Sequence, residues 1–353
     1  MRLLDCPVSR GLLAATSLLS ACGGSNTPSV PIPNGTPLLP AACGLPVRSI
    51  PTRSFEVPCS QRQDPRVKAM NDTGIQLTST LGLPAGRYAL PANGQPTQLV
   101  VLFHGHQNDS CSWRGHLQSV AAKGAVAIAM DYSGQSDRTI PGIGFVENWG
   151  WAVRSGAEDS IIAARYFLDQ YPSITTVFNF GTSMGGNVSG YAAYLPTAKR
   201  ADCKPLWDYW VATEGVHNLT EEYIGTRTLA PVLSAAKQAQ MEIEEENGGT
   251  LEAVPMRYSA ITNTLFGQNL AYLKGVVLTH GTNDQTVPFD QSRQMADQLR
   301  AARVPVHLYP ILGSDHVWEG DPTKQVMKVG LDQLYRLMAG GTVADGETPV
   351  QEP

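Results

Sequence analysis

Basic residues are in short supply. Lys and Arg number 26 against 31 Asp and Glu, a formal net charge of -5 over 353 residues. The cations form no stripe along the chain. Gripping a phosphate backbone requires such a stripe, so nucleic acid is excluded as a partner. A membrane-spanning run is also missing near the N-terminus. The apolar stretch from Gly11 to Leu19 is well short of the roughly 20 residues that cross a bilayer as a helix. Metal-ligand sets are thin. His104 and His106 stand one residue apart without further ligands at matching spacing, so no metal is expected. No cofactor is expected either. What is present is length for one large domain with appendages, and a pattern of strands and helices in alternation.

The most informative stretch is Gly181-Thr182-Ser183-Met184-Gly185. Before it, Thr175 to Phe180 is β-branched and aromatic and predicts a buried strand. After it, Gly186 to Tyr194 is rich in small residues and predicts a helix. A serine on a tight strand-to-helix turn needs a strained backbone to push its hydroxyl clear of the sheet, and glycines on either side to avoid collision. The helix that follows points its partly positive end at the reacting centre. The pentapeptide alone also fits an ordinary glycine-rich turn. Its flanks favour the nucleophile elbow, with Ser183 as nucleophile.

A serine hydroxyl needs a base, and the base needs an orienting acid. Asp284 follows the apolar run Lys274–Gly281 and sits in Asn283-Asp284-Gln285-Thr286-Val287-Pro288. The loop beyond a parallel strand's C-terminal end is where open α/β sheets hold their working groups. A turn or cap role is the plainer use of such an aspartate. His316 follows the strand-like run from Val304 to Ile311 and is the candidate base, its unperturbed pKa being about 6.5. Asp315 is adjacent to His316 and poorly placed to hold its ring. Glu214, after the predicted strand Tyr209–Thr213, ranks second as the acid.

Leu99–Phe103 predicts a further strand, ending in His104-Gly105-His106-Gln107-Asn108. The backbone N–H of Met184, after the nucleophile, and that of His106 are the expected oxyanion donors, with Gln107 as alternative to His106. Such donors contribute roughly 3–4 kcal/mol each in the transition state. His104 is expected to pack beneath the loop as a buried, hydrogen-bonded residue.

Taken together, VVLFHGHQND, GAEDSIIAARYFLDQYPS, FNFGTSMGGN, LTHGTNDQTVPF and GSDHVW resemble the α/β-hydrolase superfamily in content and order, across about residues 98 to 318. The prolyl-oligopeptidase-like and dienelactone-hydrolase-like branches are the most similar. The resemblance implies an α/β fold with a doubly wound, mostly parallel sheet, helices on both faces and a helical cap. It also implies a Ser183–His316–Asp284 triad passing an acyl group to water, with a small-molecule ester as the expected substrate. It carries no substrate identity, since esterases, lipases, thioesterases and peptidases share the frame. Two other readings are kept: a serine peptidase on short peptides, and a non-catalytic surface-binding lipoprotein. Prolyl oligopeptidases carry a β-propeller ahead of the catalytic domain, and the N-terminal sequence here is expected to be too short for one.

Residues 1–21 read as an export signal. Leu19-Ser20-Ala21-Cys22 resembles a bacterial lipobox, which implies lipid on Cys22 and a cell-envelope location at the outer membrane or surface; the alternative is a plain secretory signal cut near Ala21. Residues 22–42, rich in Pro, Gly and Ser, predict a flexible tether. The domain is expected over 43–340, with a cap insertion at about 215–270 and a disordered tail at 341–353. Cys43, Cys59, Cys111 and Cys203 suit disulfides in an exported chain; the expected pairs are Cys43 with Cys59 and Cys111 with Cys203, free thiols being the alternative. A hairpin is predicted between Arg87–Leu90 and the run from Gln98, across Asn93-Gly94. Helices are predicted at 156–171, 290–303 and 323–338. The acidic run Glu242, Glu244, Glu245, Glu246 reads as a solvated helix face. Trp113, Trp149, Trp151 and Trp318 lie near the predicted active-face loops, as loop core or as an aromatic wall.

Overall fold

The computed structural model describes residues 52–56, 73–77, 85–317 and 321–353. All of them fall within one of the two compact units of the chain, Ala41–Pro353. Leu99–Phe103 lies in the strand β4 (Gln98–Phe103) at the centre of the sheet. Its run is apolar throughout because both faces are covered. Leu99, Val101 and Phe103 enter one core layer; Val100 and Leu102 enter the other. This is the period-two alternation of a strand expressed on two buried sides.

The remaining strands are β1 (Thr52–Glu56), β2 (Thr73–Leu77), β3 (Ala85–Ala89), β5 (Val126–Met130), β8 (Thr176–Thr182), β9 (Tyr209–Thr213), β10 (Gly275–Gly281), β11 (Val306–Leu312), β12 (Gly346–Glu347) and β13 (Val350–Gln351), with β6 (Ser136–Ile140) and β7 (Gly144–Trp149) forming a separate hairpin. The large sheet runs β1-β2-β3-β5-β4-β8-β9-β10-β11-β12, with β13 also on β11. From β5 to β12 every neighbour is parallel. Helices α2 (Val153–Gln170), α3 (Met184–Tyr194) and α7 (Asp290–Ala301) contribute Ala157, Ile161, Val188, Ala192 and Met295 to one layer. Helices α1 (Arg114–Ala121) and α8 (Gln325–Met338) contribute Leu117, Val120, Leu331 and Leu334 to the other. The result is the doubly wound arrangement that the alternating pattern predicts. Between β9 and β10 the chain leaves this pattern for α4 (Leu219–Leu229), α5 (Ser234–Asn247) and α6 (Pro255–Ser259). No helix among the described residues is long and apolar enough to cross a membrane.

Three expectations are corrected. First, β3 does not form a hairpin with β4; it pairs antiparallel with β5, Tyr88 facing Ile128. Asn93-Gly94 still turns, Gly94 at φ +78°. Pro91 and Pro96 flank it, however, and neither has an N–H with which to extend a ladder into the turn. Second, the tail 341–353 is not disordered. The outer edge of β11 presents unpaired backbone groups, and the tail fills it: Thr348 N–H donates to Leu308 O at 2.9 Å, and Arg300 holds Asp345 at 3.2 Å. Composition misses this because edge pairing uses the backbone. Third, Cys111 and Cys203 are in disulfide form but not with each other. Cys111 follows the C-terminal end of β4, whereas Cys203 precedes the start of β9 at the opposite end of the sheet. A strand of seven residues spans roughly 23 Å, against at most about 7 Å between the Cα atoms of a disulfide. The pair Cys43 with Cys59 lies outside the described residues.

Candidate active site

Ser183 sits between β8 and α3 with φ +53° and ψ −126°, a strained conformation for a residue with a side chain. Its neighbours hold it there. Its N–H donates to Thr213 O at 3.0 Å, and its own carbonyl accepts from Gly186 at 2.8 Å and Val216 at 3.0 Å. Two glycines are obligatory. A Cβ on Gly181 would collide with the Gly185 carbonyl, and one on Gly185 would collide with the carbonyls of Phe103 and His104. That second close approach sets the start of α3 against the loop after β4.

The structure brings Ser183, His316 and Asp284 together. His316 Nε2 lies 3.1 Å from Ser183 Oγ, and Nδ1 lies 2.6 Å from Asp284 Oδ2. With Asp284 as acceptor, Nδ1–H donates and Nε2 is left to accept the serine proton. Asp284 is fixed in turn. Its Oδ1 accepts from the N–H groups of Thr286 and Val287, both at 2.8 Å. Behind it, His280 Nε2 stands 3.2 Å from Oδ2, and His280 Nδ1 lies 2.7 Å from Ser292 Oγ. Burial alone would raise the Asp284 pKa, but the hydrogen bonds from His280 and His316, with their charges, hold it well below the usual carboxylate range. Burial alone would lower the His316 pKa; the hydrogen bond and charge of Asp284, with the charges of Glu214 and Glu222, outweigh it and push the ring up to about 9.

Glu214 lies alongside in the second position. Its Oε2 is 3.7 Å from His316 Nδ1 and accepts from Val317 N–H at 2.7 Å. Burial pushes its pKa up to about 8. Asp315 turns away from the ring and takes the His316 N–H instead, at 2.8 Å.

On the oxyanion side, Met184 is the first residue of α3 and fully buried. A first-turn N–H has no acceptor within its own helix. His106 and Gln107 lie in the adjoining loop, Gln107 at φ +61°. The two histidines diverge. His104 is buried, stacks on Tyr132 with ring centroids 3.8 Å apart, and its Nδ1 lies 3.0 Å from Gly105 O. His106 points across to α5, its Nε2 2.6 Å from Glu242 Oε2. They share no ligand point.

The acidic run on α5 corrects another expectation: it is a docking face. Glu242 is fully buried. Glu244 accepts from Tyr223 Oη at 2.6 Å. Glu245 accepts from Trp149 Nε1 at 2.8 Å and from Arg138 at 2.7 Å. Glu246 pairs with Arg154 at 3.1 Å. The signal was legible, since Ala239, Glu242, Ile243 and Asn247 share one stripe at helical spacing and all four are buried. Trp151 lies beside His106, ring centroids 5.4 Å apart, whereas Trp113 is core, packed edge-on to Phe180. Trp318 lies outside the described residues.

The sequence profile of the family described as "Prolyl oligopeptidase family" matches residues 111–336. No curated protein sequence matches the chain. Among solved structures, the chain is similar to a Pyrococcus horikoshii acylaminoacyl peptidase at 14% identity, with 86% of this chain and 43% of that chain covered and a TM-score of 0.56. It is similar to a Mycobacterium tuberculosis puromycin-hydrolyzing peptidase at 17% identity, covering 77% of this chain and 40% of that one, TM-score 0.53. It is also similar to a Pyrobaculum calidifontis esterase at 17% identity, covering 77% and 85%, TM-score 0.57. The chain thus spans less than half the length of the peptidases and most of the esterase. At these identities the likeness establishes the fold.

Proposed function

The chain belongs to the prolyl oligopeptidase family of serine hydrolases, and from that premise we propose that it cleaves carboxylic esters through an acyl-enzyme. The observation that carries the reading is His316 in contact with Ser183 on one ring nitrogen and Asp284 on the other. Ser183 attacks the carbonyl carbon as His316 takes its proton. Asp284 keeps the ring in its working tautomer and stabilises the imidazolium. The N–H groups of Met184 and His106, or Gln107 in place of His106, receive the developing oxyanion. The imidazolium then protonates the leaving alcohol, and a water activated by the same ring releases the acid. Ser183→Ala should abolish hydrolysis of p-nitrophenyl butyrate while leaving the circular dichroism spectrum unchanged; turnover by that variant would refute the assignment.

A short-peptide substrate is the second reading. It is favoured by the match of residues 111–336 to the prolyl oligopeptidase family. Parallel assays on matched esters and peptide amides decide between the two. Absence of fluorophosphonate labelling at Ser183 would favour the third, a binding protein on a hydrolase frame. We also propose that the chain is exported and anchored by lipid on Cys22, with residues 22–42 as tether. Cys22→Ser should then move the protein from the membrane fraction to the soluble one.

A further inference from the structure

The buried acid of the cap, Glu242, touches the oxyanion loop through a side chain that the mechanism above does not use. His106 is the third residue after β4. Its backbone is assigned to the oxyanion hole, but its ring reaches away from the sheet to α5. There Nε2 meets Glu242 Oε2 at 2.6 Å, and the other carboxylate oxygen, Oε1, accepts from Gln238 Nε2 at 2.7 Å. Glu242 is fully buried and His106 about one-fifth exposed. Trp151, in the link between β7 and α2, lies beside the ring with centroids 5.4 Å apart.

The loop needs such support. Gln107 takes φ +61°, a conformation that residues other than glycine and asparagine hold only when their surroundings over-determine it. Two of the bonds at its tip are long: Asn108 Nδ2 to His106 O at 3.3 Å and Asn148 Nδ2 to Gln107 O at 3.5 Å. Nearer the strand, Tyr132 Oη donates to His104 O at 3.0 Å; the contact of His106 with Glu242, at 2.6 Å, is shorter than these. A carboxylate taken wholly out of water is costly, and a well-packed apolar residue often stabilises a fold as well or better. A stability role alone accounts poorly for an acid at this position. Geometric control accounts for it better, because an oxyanion donor displaced by even a fraction of an ångström loses its alignment with the developing charge.

The geometry points to Glu242 as a positioning residue: acting through the His106 ring, it holds the oxyanion loop in its working geometry, so that the cap completes the catalytic site. The inference rests on the serine-hydrolase reading above. Glu245 and Glu246, one turn further along, fasten the same helix to the β6–β7 hairpin and to α2, which fixes the platform from which Glu242 acts.

The test uses the whole purified chain, a p-nitrophenyl ester and a phenylboronic acid that forms a tetrahedral adduct on the serine. Glu242→Ala should lower kcat by about 10²-fold, the scale for a compromised oxyanion donor, while KM stays within about threefold, the mark of an interaction made in the transition state. Boronate affinity should fall in step with kcat/KM. Glu242→Gln, which still accepts from the His106 ring, should recover most of the rate. An unchanged kcat, a rise in KM alone, or a Gln variant as impaired as the Ala variant would each overturn the inference. If Glu242→Ala does not fold, Gln238→Ala must show the same kcat-selected loss in milder form, and its absence is equally decisive. An inert wild-type chain, unlabelled by fluorophosphonate, would instead refute the hydrolase reading itself.

Discussion

At His316 two carboxylates face one ring nitrogen, and distance separates their roles. Asp284 is at 2.6 Å with its other oxygen fixed by two backbone N–H groups. Glu214 is at 3.7 Å, with one oxygen given to Val317. Removing the acceptor of the hydrogen bond frees the ring to take the wrong tautomer, so Asp284→Asn should cost roughly 10³–10⁴ in kcat. Glu214→Gln leaves that bond intact and removes only a more distant charge. Its effect belongs in the pH profile. His316 works as a base when neutral, so activity rises with pH through its pKa, which Glu214 helps to raise. Losing that carboxylate lowers the pKa, and the acid limb of kcat/KM should move to lower pH with kcat at the plateau nearly unchanged. A limb that stays in place would show that Glu214 does not act on the ring's charge, and a greater loss in kcat than Asp284→Asn shows would exchange the two roles.

Among the elements, those with a two-sided apolar run were the most legible. β4, β8 and β10 announce themselves because burial on both faces leaves no room for polar residues, and the triad loops follow directly from their C-terminal ends. What escaped was set by partners distant in sequence. Nothing near Arg87 says that β5 will come between β3 and β4 after the α1 crossover. Nothing in the acid run says that His106, Trp149 and Arg154 await it, although the stripe through Ala239 and Ile243 marks Glu242 as inward-facing. His280, one turn behind Asp284, was likewise hidden inside what reads as a plain strand. The tail is the clearest case for a test. Its pairing on β11 uses backbone groups together with Arg300 and His307, the latter 3.0 Å from Ala344 O and 2.8 Å from Thr348 Oγ1. Ending the chain after Thr342 should therefore lower Tm by several degrees and expose an edge that promotes association, while the kcat of the remaining monomer is retained. A Tm unmoved by the truncation would show that the edge pairing contributes nothing.

Over the whole molecule, the buried titratable groups set stability and activity against each other. Glu214 and Glu222 are held by burial at about 8 and about 7, above the ordinary 4.5, and His316 stands at about 9 against 6.5. Each therefore binds more protons folded than unfolded above its ordinary pKa, so each loses its stabilising contribution as pH rises toward its folded value. Burial depresses His217 to about 3 and His116 to about 4. Those two act in the opposite sense, destabilising the fold as pH falls below 6.5. Between pH 4.5 and 6.5 the groups offset one another; from 6.5 to 9 the carboxylates and His316 act together. Tm should thus be greatest in mildly acidic solution and decline steadily from pH 6.5 to 9. The ester rate should climb over the same interval as His316 becomes neutral. Scanning fluorimetry and initial rates on one buffer series test both halves. A Tm that holds level across the interval would mean that Glu214 and Glu222 are already ionised in the native state, and that burial does not hold their protons as described.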